Sequence, residues 1–179
     1  MPRIPVHTVE TAPEASRDAL KGLAQKYGKV LNIHGEMAHS PAVLHTYLAI
    51  QDVLREHATV DAATREAIAL AVGNEDDCGY CQAAHTAGGS AAGLSDEQML
   101  DIRRGTVEDP KLDALLRLAR EYTANVGTTS DATWQAAEDA GWTDEQLTEL
   151  SAHVTLNLLT NYFNHHVHTD LDGKAAPAL

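Results

Sequence analysis

"REAIALAVGNEDDCGYCQAAHT", residues Arg65–Thr86, decides how this chain folds and most of what it does. Its first half is apolar on every side from Ala67 to Val72, the mark of a helix buried in a core rather than lying on one. "NEDD" then offers turn and capping residues, and a second helical stretch runs from Asp77 to Ala91. Asp76 or Asp77 is the expected N-cap, which puts Cys78 in the first turn of that helix and Cys81 one turn along. The segment thus predicts two consecutive helices, one central and one carrying both cysteines of the chain.

Helical signals continue in both directions. Upstream, "SPAVLHTYLAIQDVLREH" opens with Ser40 as cap and Pro41 at the first helical position, where a missing N–H costs nothing. Asp109 and Pro110 repeat the device downstream. Further helices are expected near Glu14–Tyr27, Asp61–Val72, Ser95–Arg104, Asp131–Ala140 and Thr143–Val167. "GKVLNIHGEMAHS" is the main irregular stretch. No alternating strand pattern lasts beyond a few residues. The expectation is an all-α, single-domain bundle of about eight helices spanning residues 1–179, with residues 1–13 and 172–179 as loosely ordered arms.

An internal echo lies 48 residues apart: "AGLSDEQML" from Ala92 and "AGWTDEQLT" from Ala140. Each has Gly two residues before a Ser or Thr cap and Gln three residues after it, the arrangement of a capping box following a glycine-ended helix. The pattern is that of a duplicated helical hairpin, or of two junctions that converged on the same local chemistry.

Composition bounds the function. The 179 residues are enough for one domain with a real core. A formal net charge of −13 argues against nucleic acid and anionic membrane surfaces as partners. No apolar run reaches the roughly 18–20 residues of a membrane span, and the start lacks the apolar core of a secretory signal. A cytoplasmic location is expected, where a CxxC pair serves catalysis or metal binding more often than stapling.

Cys78, Cys81 and His85 stand at i, i+3 and i+7, within about 60° of one another on a helix. Free N–H groups at the helix start stabilise a thiolate, and His85, one turn below Cys81, is placed to move its proton. Glu66 is either a solvated carboxylate on the first turn of the preceding helix or a second proton carrier facing the cysteines. Zinc would need a fourth ligand beyond two Cys and one His, from Glu66, Asp77 or a distant histidine, so no metal and no cofactor is expected. His165, His166 and His168 read as a polar helix end, where imidazoles suit the dipole. Asn161 and Asn164 are candidates for the pocket wall.

The same residues, with "NIHGEMAHSPAVLHTYLAIQDVL" before them and "NLLTNYFNHHVHTDLD" after, resemble the alkylhydroperoxidase D / carboxymuconolactone decarboxylase family, in its peroxidase-related branch. The resemblance implies an all-helical fold in trimers or hexamers. It also implies Cys81 as the thiol attacking peroxide, Cys78 as its disulfide partner, and Glu66 with His85 as the proton relay. The partners would be a small-molecule peroxide and a dithiol reductant, protein or small thiol. In one place the chain departs from the pattern: alkylhydroperoxidase D proper has His before the second cysteine, and here Tyr80 stands there. The decarboxylase branch needs no cysteine pair, and no obvious arginine cluster marks a dicarboxylate site. A redox-sensing helical oligomer with the same disulfide but little turnover is the alternative from another class.

Overall fold

The computed structural model describes all 179 residues, Met1–Leu179. Nine helices and no strands make up the fold: α1 (Glu14–Tyr27), α2 (Asn32–Met37), α3 (Pro41–His57), α4 (Ala62–Glu75), α5 (Gly79–Ala91), α6 (Asp96–Arg104), α7 (Pro110–Ala124), α8 (Asp131–Asp139) and α9 (Asp144–Val167). The helix beyond the expected number is α2, inside the stretch read as irregular. Six residues are too few to nucleate a helix alone. Burial of Ile33, His34, Gly35, Glu36 and Met37 holds it in place.

α4 is the axis of the molecule. Ala67 through Gly73 are all buried, and the helix packs against α5, α6, α7 and α9. Around it lies the larger core, with Ile68, Leu70, Ile102, Leu115, Leu118 and Val154 among its members. A smaller core joins α1, α2 and α3 through Leu20, Leu23, Met37, Leu44 and Tyr47. Leu156, Leu159 and Phe163 of α9 pack onto this second cluster, so α9 bridges the two. A cavity forms along that seam.

The turn from α4 to α5 departs from the expected capping. Asp77 takes a left-handed conformation (φ 50°). Its N–H bonds the Asn74 carbonyl at 3.2 Å, and the Cys78 N–H bonds the Gly73 carbonyl at 2.9 Å. This pair of bonds is a Schellman closure of α4. Because Asp76 and Asp77 are occupied in ending one helix, Cys78 itself becomes the N-cap of the next, its Sγ accepting the Cys81 N–H at 3.3 Å.

Both halves of the sequence echo fold alike. Gly93 and Gly141 are left-handed, with φ of 94° and 89°. Ser95 with Gln98 and Thr143 with Gln146 each complete a capping box. The terminal arms are laid on the helices: the Arg3 N–H bonds the Val167 carbonyl at 2.8 Å, and Arg103 holds the Pro177 carbonyl at 2.6 Å.

Candidate functional site

Cys81 lines an open cavity of about 770 Å³ bordered by α1–α5, α9 and residues Leu171–Lys174. Both cysteines are free thiols and buried, but only Cys81 belongs to the cavity wall. α4 and α5 pack closely enough here that a Cβ on Gly73 would come within 3.3 Å of the Cys81 Cβ. Gly79, between the sulfurs, has open space where a side chain would start.

The two sulfurs differ in electrostatics. The Cys81 thiol acting on Cys78 is the largest influence drawing Cys78 down to about 7; burial opposes it, and the Cys81 N–H and the Asn164 amide reinforce it. The neighbouring Cys78 sulfur, followed by burial, pushes Cys81 well above the ordinary thiol range. Of the two, the N-cap sulfur, away from the cavity, is the more acidic. The sequence placed Cys78 inside the first turn and Cys81 one turn along. The Schellman closure separates them into an N-cap and an interior residue.

Glu66 faces the cysteine helix rather than solvent. Its Oε2 accepts from His85 Nδ1 at 2.8 Å, and both side chains are little more than a quarter exposed. A carboxylate can only accept, so the Nδ1 carries the proton and Nε2 is left with a lone pair. Nε2 has no protein partner. Both residues line the cavity that Cys81 enters, though no hydrogen bond joins His85 to either sulfur.

Asn164, offered by the sequence only as a candidate, donates its side-chain amide to Cys81 Sγ at 3.2 Å. Asn161 turns elsewhere, donating to Asp76 Oδ2 at 2.8 Å. His165 donates to the Asp76 carbonyl at 2.9 Å, and His168 is the left-handed C-cap of α9. Nowhere are three or more His, Cys, Asp or Glu side chains grouped to hold a metal ion.

Other wall residues carried no local signal. Tyr80 donates its phenol to Asp172 Oδ2 at 2.5 Å. Burial and that acceptor both raise its pKa, so it serves as a neutral donor and not as a substitute for a relay histidine. Asp172 also takes the Asn32 N–H at 3.1 Å and an ion pair from Lys29 at 3.4 Å. Burial pushes His34 down to about 4, so it lines the cavity as a neutral ring. Arg55 and Arg65, on either side of the α3–α4 loop, both reach the wall.

The all-helical fold is the one shared by the alkylhydroperoxidase D-like structures below. Residues 41–125, from α3 to the end of α7, match the carboxymuconolactone decarboxylase family. A peroxidase-related protein from Ralstonia eutropha JMP134, with an alkylhydroperoxidase AhpD core, superposes with a TM-score of 0.85 at 22% identity, over 96% of this chain and 92% of its own. A peroxidase-related protein from Silicibacter sp. TM1040 gives 0.79 at 16%, over 94% and 91%. The debrominase Bmp8, solved as a cysteine-to-alanine variant in complex with 2,3,4-tribromopyrrole, gives 0.78 at 12%, over 96% and 91%. No curated protein matches the chain by sequence. No helix is long and apolar enough to cross a membrane.

Proposed function

We propose that this protein is a two-cysteine thiol peroxidase that reduces organic hydroperoxides in the cytoplasm at the expense of a dithiol. The observation that carries the reading is the division of labour at the cavity: Cys81 faces it, Cys78 stands behind as the more acidic thiol, and the Glu66–His85 pair shares the same wall.

The Cys81 proton passes to His85 Nε2 by way of the bound hydroperoxide, with Glu66 stabilising the imidazolium. The Cys81 thiolate attacks the distal peroxide oxygen. The O–O bond breaks, the alkoxide takes the proton back from His85 and leaves as an alcohol, and Cys81 becomes a sulfenic acid. The Cys78 thiolate then attacks the Cys81 sulfur. Hydroxide departs, is protonated to water, and a Cys78–Cys81 disulfide remains. An external dithiol reduces it by exchange and is itself oxidised to a disulfide. The lowered pKa of Cys78 suits the resolving step, since it raises the share of thiolate at this sulfur near neutral pH.

Peroxide consumption with dithiothreitol tests the reading. Wild type should turn over many times and Cys81→Ser not at all, while Cys78→Ser should accumulate Cys81 sulfenic acid. One equivalent consumed without further turnover would indicate a redox sensor. Selective loss of peroxide attack in Cys78→Ser, with Cys81→Ser still oxidised, would invert the two roles.

A further inference from the structure

Two helices measure the cavity, and they agree about its far end. On α9, Asn164 sits against the Cys81 sulfur, and His153 lines the same cavity eleven residues earlier. At 1.5 Å per residue that is about 16 Å along the axis. On α4, Gly73 packs against Cys81 and Arg65 lines the cavity eight residues earlier, about 12 Å by the same measure. Between these ends the walls include Ala69, Leu156, Asn157 and Thr160.

Both measures end at one loop. Arg65 donates to the Val60 carbonyl at 3.2 Å. Glu149 accepts the Thr59 N–H at 2.7 Å, its hydroxyl at 2.6 Å and the Val60 N–H at 3.4 Å. The same carboxylate accepts from His153 Nε2 at 2.8 Å, where the His153 side chain is only 5% exposed. Burial alone would raise the Glu149 carboxyl, but the Thr59 and His153 bonds hold it below its ordinary value. Glu149 and His153 therefore brace the loop against α9 and fix the carbonyl on which Arg65 rests. They are positioning residues. Arg65 is half-buried and, unlike Arg55, which is tied to Asp52 at 2.8 Å, it forms no salt bridge with any carboxylate of a chain whose net charge is −13.

We propose that the cavity binds an elongated amphipathic hydroperoxide with a carboxylate at the end remote from the peroxide. The carboxylate pairs with Arg65, the hydrocarbon runs past Ala69 and Leu156, and the peroxide lies at Cys81. The chemistry at the sulfur rests on the peroxidase reading, whereas the acid site does not.

Calorimetry on the reduced protein separates the two. Decanoate should bind at least tenfold more tightly than decan-1-ol or butyrate. Arg65→Gln should remove that preference while leaving decan-1-ol binding in place, and Arg65→Lys should retain decanoate affinity within about threefold. Glu149→Gln should weaken decanoate without abolishing helical circular dichroism. Equal affinities for decanoate and decan-1-ol, or undiminished decanoate binding in Arg65→Gln, would overturn the acid site. If decanoate binds through Arg65 but no hydroperoxide is consumed, the acid site stands and the peroxidase reading falls.

Discussion

The carboxylate of Glu66 occupies the space where a side chain on Gly88 would begin: a Cβ there would lie 2.5 Å from Oε2 and 2.8 Å from Cδ. The bare backbone of α5 lets Glu66 lean across from α4 to reach His85, one turn before Gly88. Gly88→Ala should therefore dislodge the carboxylate and slow peroxide reduction by about tenfold or more, the scale of one acid–base contribution. Helical circular dichroism should change little. Gly79→Ala, at a site with nothing within 4 Å, is the control and should react as wild type does. Equal rates in the two variants would contradict this account of the Glu66 seat.

Charge removal without a change of shape makes a cleaner test of the same pair. Glu66→Gln keeps the contact but no longer stabilises a protonated ring, so Cys81 oxidation by peroxide should slow by more than tenfold. His85→Ala should cost at least as much. The double variant should be little worse than either, because members of one relay are not additive. Stopped-flow oxidation rates across pH in the three variants decide the matter.

The reduced protein should gain stability as pH rises from about 7 towards the ordinary thiol value. Cys78 is depressed to about 7, so above that pH the folded chain has released a proton that the unfolded chain, with a thiol near 8.5, still holds. That contribution disappears as pH falls through 7. Cys81 is shifted the other way. Above about 8.5 the unfolded Cys81 ionises and the folded one does not, which costs stability and closes the window. Urea midpoints under reducing conditions should rise across the window in wild type and stay flat there in Cys78→Ser.

In solution the chain should form a closed symmetric oligomer. Val53 and Tyr162 are more than half exposed, on the two long helices α3 and α9. Light scattering at micromolar concentration should return a multiple of 19.2 kDa, and a monomer mass would refute the expectation.

Much of the fold was legible because its signals are local. The caps at Ser40, Asp61, Ser95, Asp109 and Thr143 all bond the first-turn N–H groups, and the unbroken apolar run of α4 announced the buried axis. α2 was missed because tertiary burial, not propensity, makes it helical. At the site, His85 was found through its spacing from the cysteines, whereas spacing left Glu66 open between solvent and the cysteine helix, and only the family resemblance paired it with His85. The bonds Tyr80–Asp172, Asn164–Cys81 and Thr59–Glu149 were not found, since each joins groups more than 80 residues apart in the chain, and helical periodicity is blind to such pairs. The acidity of Cys78 was hidden for a smaller reason: one left-handed residue, Asp77, shifted the helix start by a single position.

Asp172 joins the phenol of Tyr80, the first N–H of α2 and the ammonium of Lys29, while Leu171–Lys174 form part of the cavity wall. Leu171–Lys174 are thus working parts of the wall. Loss of the Asp172 carboxylate would loosen the segment that lines the chamber and release Tyr80, the residue just before Cys81.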